Sequence, residues 1–233
     1  MPSAPPYTKF ALIVAHGQPS DPGPAAAEIA ALAARVADHL PGWHIGSATL
    51  AEAGALSDAV AGAGPQGVVF PLFMAAGWFT RTHLPERLAA AGGSGWRVLA
   101  PFGEDAGVQD LAVTIAREAV AATGATAMLL AAHGSSRSSA PSDVAHAMAL
   151  RIQQETGLAR VEAAFIDQSP QIANARGFGP RAVCLPFFAA RGGHVTDDLP
   201  AALSEAGFQG MVLGPLGLDP RVPALIAGAI ARG

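Results

Sequence analysis

Two histidines, His133 and His194, stand where this chain is best placed to do chemistry. His133 ends the apolar run Leu129-Leu130-Ala131-Ala132 and is followed by Gly134 and Ser135. His194 sits in Gly192-Gly193-His194-Val195-Thr196-Asp197-Asp198-Leu199-Pro200, where two glycines allow a tight turn that presents an imidazole and carboxylates. A neutral imidazole ligates divalent iron, cobalt, nickel and zinc, and it accepts a proton near neutral pH. Two imidazoles, each just past a strand, can converge on one cleft, because ligands of open parallel sheets bind outside the carboxyl ends of the strands. Such a pair suits a reaction in which a divalent metal must be held loosely enough to leave while protons find an acceptor. A histidine after a strand also has a plainer reading as a hydrogen-bonded turn residue. His39, His44 and His146 carry no motif and take that plainer reading.

The elements that would position these residues are written twice. Leu12-Ile13-Val14-Ala15-His16-Gly17 is echoed by Leu129-Leu130-Ala131-Ala132-His133-Gly134 at an offset of 117. Phe70-Pro71-Leu72-Phe73-Met74-Ala75-Ala76-Gly77 recurs as Leu185-Pro186-Phe187-Phe188-Ala189-Ala190-Arg191-Gly192 at an offset of 115, which Leu84-Pro85 and Leu199-Pro200 keep. Val98 to Gly103 recurs as Val212 to Gly217 at 114. A period this long points to duplication of a whole small domain, with halves 1–123 and 124–233. In each half, short apolar runs alternate with longer Ala- and Leu-rich stretches, the pattern of parallel strands joined by crossover helices, hence an α/β architecture. Strands are expected at 10–15, 44–50, 67–72, 96–100, 126–132, 160–166, 181–185 and 210–213. The first helix is expected near 24–40, with Pro24 at its start, and Ser142 or Asp143 is expected to cap its counterpart. The repeat is asymmetric. The first half keeps His16-Gly17 but has Phe79 where the second has His194, and Ala51 lies opposite Asp167 with Glu52 adjacent. His16 is thus a remnant of a site or a residue retained to hold a turn, and the first half is expected to be a wall.

Composition narrows the function classes. The chain is 51% hydrophobic and 14% charged, which fits a globular protein with a large buried core. A formal charge of −4 lacks the basic excess that drives phosphate-backbone binding, so nucleic acid is not an expected partner. Cys184, the one cysteine, excludes a disulfide framework and fits a buried thiol in a reducing cytoplasm. The apolar run from Phe10 to Ala15 is too short to span a bilayer, so a soluble, membrane-free chain is expected, as a monomer or a homodimer.

The second-half motifs resemble those of a known family, the sirohydrochlorin cobaltochelatases and ferrochelatases of the CbiX-like class II tetrapyrrole chelatases. The likeness covers nearly the whole chain. It rests on His133-Gly134-Ser135-Ser136-Arg137 after a strand, on the Pro-Phe-Phe segment leading from Pro186 to Gly193-His194-Val195, and on Asp198-Leu199-Pro200. The resemblance implies two chelatase-like α/β/α sandwich halves, each with a four-stranded, mostly parallel sheet. It implies insertion of a divalent metal, Co2+ or Fe2+ with Ni2+ also open, into sirohydrochlorin in cobalamin or sirohaem biosynthesis. The metal is then a substrate, and no organic cofactor is expected. His133 and His194 would bind the metal and assist deprotonation. Asp167, similar in position to an acidic residue of that family, would be a further ligand, one methylene shorter than glutamate. For a flat ring edged with carboxylates, an apolar slot with an anion-binding rim is expected. Trp78, Phe79, Phe187 and Phe188 are candidates for the slot, and Ser135, Ser136, Arg137, Gly193, Arg81 and Arg191 for the rim, with backbone N–H groups at the helix start after His133. His83 is a lesser candidate for the cleft. Phe187 and Phe188 also read as core, and Asp197 and Asp198 also read as a helix cap.

Three other functions bear on the same residues. A histidine phosphatase also carries a strand-end His-Gly pair, but Ala15 and Ala132 stand where its phosphate-clamping arginine would be. A serine hydrolase built on Ser135 lacks the Gly-x-Ser-x-Gly elbow. A noncatalytic tetrapyrrole or metal carrier would share fold and slot with a chelatase and differ in turnover.

Overall fold

The computed structural model describes residues 9–233. Strands form where the apolar runs fall: β1 Lys9–Ala15, β2 Trp43–Thr49, β3 Val68–Pro71, β4 Arg97–Val98, β5 Ala127–Ala132, β6 Arg160–Phe165, β7 Ala182–Pro186 and β8 Met211–Val212. The last strand of each half is only two residues long, shorter than its apolar run. The helices are α1 Pro22–Ala37, α2 Ala55–Ala63, α3 Leu84–Ala90, α4 Ala106–Thr123, α5 Ala140–Thr156, α6 Leu199–Ala206 and α7 Val222–Arg232. There are two four-stranded sheets, ordered β2-β1-β3-β4 and β6-β5-β7-β8. Every pairing within them is parallel. The central strands are apolar without alternation because helices cover both faces: β5 buries Met128, Leu129, Leu130 and Ala131 completely.

The compact units are cut differently from the sequence repeat of 1–123 and 124–233. One unit runs up to Asp105 and takes back Pro220–Gly233, while the other is Ala106–Asp219. The exchange follows from apolar stripes. In the first unit, α7 buries Val222, Ile226 and Ile230 and packs on α1 and β3. In the second, α4 packs on α5, and Arg151 of α5 pairs with Asp110 of α4 and with Glu155. The halves also differ between their second and third strands. The first unit inserts α2 there, whereas the second has only a 3-10 turn, Ile172–Asn174, which packs on α6.

Helix ends follow local chemistry more than the expected caps. Pro22, not Pro24, opens α1, and the helix stops at Ala37. Ser142 and Asp143 do not cap α5. The N-cap is Ser139, whose carbonyl accepts from the Ser142 hydroxyl and from the Asp143 N–H, so both lie inside the first turn. Among the described residues no helix is long and apolar enough to cross a membrane.

Cys184, in the middle of β7, is fully buried, and burial pushes its thiol up to about 12. Since the thiolate is the reactive form, a disulfide reagent at pH 8 is expected to leave the native protein unlabelled and to label it once in guanidinium. Native-state labelling as fast as that of a free thiol would contradict this burial.

Candidate active site

In each sheet the chain leaves its first strand toward one edge and its third toward the other, so the crevice at the topological switch lies past the carboxyl ends of β5 and β7 in the second unit. His133 follows β5 and His194 follows β7. Sixty-one residues apart in sequence, the two imidazoles meet with Nε2 atoms 2.9 Å apart, ring centroids 4.1 Å apart and ring planes at 75°.

The tautomers follow from what lies behind each ring. His133 Nδ1 is 2.8 Å from the Gly134 carbonyl oxygen, and His194 Nδ1 is 2.7 Å from Asp198 Oδ2. A carbonyl and a carboxylate only accept, so both Nδ1 atoms carry hydrogen and donate. In neutral rings both Nε2 atoms then hold lone pairs, aimed at one small region. Two lone pairs at 2.9 Å call for a shared cation. Two metal–nitrogen bonds of the usual length, held at right angles, separate their nitrogens by about 3 Å. A divalent metal or a single proton therefore satisfies the pair.

Each ring is placed by a specific backbone device. Gly134 has φ +76, and a Cβ there would come within 2.6 Å of Gln168 Cγ and 2.9 Å of Phe165 Cβ, so the turn after β5 demands glycine. Gln168 Oε1 accepts from the Ser135 N–H at 2.7 Å and so ties the histidine turn to the end of β6. Nothing in the sequence reading pointed to Gln168. The available signal was the echo of Gly17 in Gly134, since a left-handed glycine hard against a strand end implies a close neighbour. His194 opens a π-helical turn, His194–Asp198, in which the Leu199 N–H reaches the His194 carbonyl. That wide turn carries both His194 and Asp198, the two partners of the ring contact. The expected turn forms, with the Val195 N–H on the Gly192 carbonyl at 2.9 Å, but it does not require glycine at 193. Gly193 has φ −53 and ψ −33, a helical conformation open to any residue, and an added Cβ would meet only Asp197 Oδ2 at 3.6 Å. What Gly193 supplies is open surface.

The remaining candidates divide. Asp167 Oδ2 stands 3.5 Å from His133 Nε2, beyond hydrogen-bond range, and its backbone N–H is held by the His133 carbonyl at 2.9 Å. It adds negative charge beside the pair. Among the described residues no group of three or more His, Cys, Asp or Glu is arranged to hold a metal ion. Phe187 and Phe188 are 1% and 7% exposed. They are core, and their expected place in a slot is corrected accordingly; the strand they extend is buried on both faces. The N–H groups of Ser135, Arg137 and Ala140, expected to be open to carboxylates, are already spent on Gln168, Ser135 Oγ and Ser138 Oγ. Ser136, Arg137 and Arg191 are exposed.

The first unit shows the same frame with other side chains. The Ala51 N–H donates to the His16 carbonyl as that of Asp167 does to His133, so alanine, not Glu52, is the counterpart of Asp167. Gly17 repeats the left-handed turn, with φ +77. A second π-helical turn, Phe79–His83, lies at the same register as His194–Asp198. Phe79 packs on the His16 ring at 4.4 Å between centroids, and burial, with the His83 imidazole second, holds His16 below its ordinary pKa. No imidazole pair forms there.

Comparison with known proteins finds the same fold among chelatases. Residues 127–232 match the CbiX family model. The chain is 49% identical to CbiX, described as the terminal enzyme for biosynthesis of siroheme in denitrifying bacteria, covering 97% of this chain and 99% of that one with a TM-score of 0.88. It also superposes on SirB from Bacillus subtilis with Fe3+, at a TM-score of 0.72 and 16% identity over 97% of this chain and 95% of that one. A third likeness is to DR2241 from Deinococcus radiodurans, a multi-domain protein with structural similarity to chelatases, at a TM-score of 0.70 and 22% identity over 96% of this chain and 54% of that one. No match is found among curated proteins. The class these features define is a duplicated, chelatase-like α/β fold with a strand-end imidazole pair in one unit. Within it, the chain belongs to the CbiX family.

Proposed function

We propose that this protein is a tetrapyrrole metal chelatase that inserts Co2+ or Fe2+ into sirohydrochlorin, with the second unit's imidazole pair as its working site. The observation that carries the reading is the convergence of two lone-pair-bearing Nε2 atoms, 2.9 Å apart, at the switch point of a chelatase-like sheet. Support for the substrate comes from relatives described as a siroheme-synthesis enzyme and as the sirohydrochlorin chelatase SirB in complex with cobalt.

The stoichiometry suits the geometry. Insertion of one divalent metal releases two pyrrole N–H protons. Two imidazoles that hold the metal through Nε2 regain those lone pairs as it passes to the ring, and each can then accept one proton. Nδ1 stays committed to Gly134 or Asp198 throughout, so neither ring needs to turn over between holding metal and holding proton. A two-ligand hold on the metal is weak by design: a third and fourth protein ligand would compete with the four ring nitrogens. Asp167, 3.5 Å from His133 Nε2, is placed to stabilise positive charge on the pair. Asp198 orients His194 through its Nδ1, a duty common to carboxylates behind metal-binding histidines.

Asp198→Ala is expected to weaken Co2+ binding, measured with metal alone, about tenfold to a hundredfold, and Asp198→Asn less, because the amide oxygen still accepts from Nδ1. Equal affinity in all three proteins would remove Asp198 from the site. The function itself is tested by incubating substoichiometric protein with sirohydrochlorin and Co2+ or Fe2+ under anaerobic conditions while following the ring's absorption. Many insertions per protein are expected. Saturation at one ligand per chain would identify a carrier instead.

A further inference from the structure

The register that aligns the two units also shows what the first unit has put in place of the metal pair. At the offset of 115, Trp78 corresponds to Gly193, Phe79 to His194 and His83 to Asp198. Both segments form the same π-helical turn, so these substitutions occupy matched positions on one backbone frame. Where the second unit has open surface, a ligand imidazole and its carboxylate, the first has three rings in mutual contact. Trp78 and His83 stack at 4.7 Å between centroids with planes 20° apart, and Phe79 meets both edge-on, at 5.1 Å and 5.9 Å. His16 closes the group against Phe79.

Burial separates support from surface. Phe79 is partly buried and packs against the first unit's core, in which Leu84 of the same helix start is fully buried. Trp78 is 59% exposed, among the largest apolar exposures of the described residues. An indole held outward by a stacked imidazole beneath it and a phenyl at its edge is a rigid aromatic platform. Its own packing gives no reason for so much exposure. Arg81, exposed on the same turn, sets positive charge beside the rings.

We infer that Trp78 and its stacked partner His83 form a π-stacking surface of the first unit for the face of the planar, carboxylate-edged macrocycle, with Arg81 to meet an edge carboxylate. This rests on the chelatase reading for the identity of the ring. Three features favour this occupant over a protein partner: a parallel aromatic stack matches a flat conjugated face, the adjacent guanidinium complements its acidic edge, and the frame is the one that carries the metal pair in the other unit. The first unit has thus exchanged a coordinating turn for a stacking one. Metal affinity and ring affinity then reside on different side chains.

The test is equilibrium binding of metal-free sirohydrochlorin to the full chain. Trp78→Ala is expected to weaken ring binding about tenfold, whereas Trp78→Phe, which keeps a stacking face, stays within about twofold. Co2+ binding with metal alone should be the same in all three proteins, since it reads His133 and His194. In a second measurement, the ring should quench part of the wild-type emission that is missing from Trp78→Phe. Ring affinity in Trp78→Ala within about twofold of wild type, or equal quenching in wild type and Trp78→Phe, overturns the inference. These results are independent of the chelatase test. Insertion that survives loss of the histidines would overturn the metal assignment and leave ring affinity to be read as before, whereas unchanged ring affinity in Trp78→Ala alongside a dead His194→Ala would overturn only the stacking surface.

Discussion

His194→Ala is expected to lower the rate of metal insertion at least about a hundredfold, the lower end of what a positioned proton acceptor contributes, with loss of a metal ligand added to it. His133→Ala should do the same. Both substitutions remove half of a pair whose property is joint: a single Nε2 at this open site can neither hold the metal at two points nor accept both released protons. For that reason the double variant should be little worse than either single one, as groups that act as a unit are strongly non-additive. The substitutions should also be benign for folding, since both rings are partly exposed and His194 lies on a surface turn. The measurement is the initial rate of the sirohydrochlorin absorption change with Co2+ or Fe2+, beside Co2+ affinity with metal alone. Wild-type rates in either single variant would end the assignment of the pair. Additive losses in the double variant would mean that the two rings work separately.

Gly134→Ala is expected to damage both stability and the site. The residue sits at φ +76, where a side chain costs about 1–2 kcal/mol. Its new Cβ would lie 2.6 Å from Gln168 Cγ and 2.8 Å from Gln168 Oε1, and relieving such crowding typically costs a further 1–3 kcal/mol or so. A fall in Tm of roughly 10 °C follows for a unit of this size. Activity should fall with it, because Gly134 supplies the carbonyl that fixes the His133 tautomer, and Gln168, which would have to give way, holds the next N–H. Gly124→Ala is the matched control. It has φ +63 but nothing within 4 Å of an added Cβ, so it should cost the backbone strain alone and leave insertion untouched. Equal losses of Tm in the two variants would show that the contact with Gln168 is not tight.

Much of the frame was legible in the residues. The repeated apolar runs ending in His-Gly placed β1 and β5, and the Phe-Pro and Leu-Pro echoes placed β3 and β7, because strands buried on both faces are written as unbroken apolar stretches. The two-residue strands β4 and β8 were legible only as longer runs, since pairing ends where the neighbouring strand turns away and not where apolarity stops. The same limit left Phe187 and Phe188 open between slot and core. An aromatic pair just past a strand reads alike whether it continues into the core or lines a slot, and burial is decided by helices elsewhere in the chain.

Residue identity determined the asymmetry of this protein: a histidine after β5, a second after β7, and Phe79 in the equivalent place of the first half are facts of the chain. Tertiary structure alone decided what those residues make. Sequence spacing over sixty-one residues cannot state that two Nε2 atoms face each other at 2.9 Å, nor that a carbonyl behind one ring and a carboxylate behind the other leave both with free lone pairs. Nor does it state that Gln168 holds the histidine turn, or that α4 and α7 are exchanged between the compact units. The physical reason is common to all of these. Apolar periodicity reports burial, a property each residue carries along the chain, whereas the direction of a side chain and its hydrogen-bond partner depend on the few dihedral angles of the turns after each strand and on the elements packed against them.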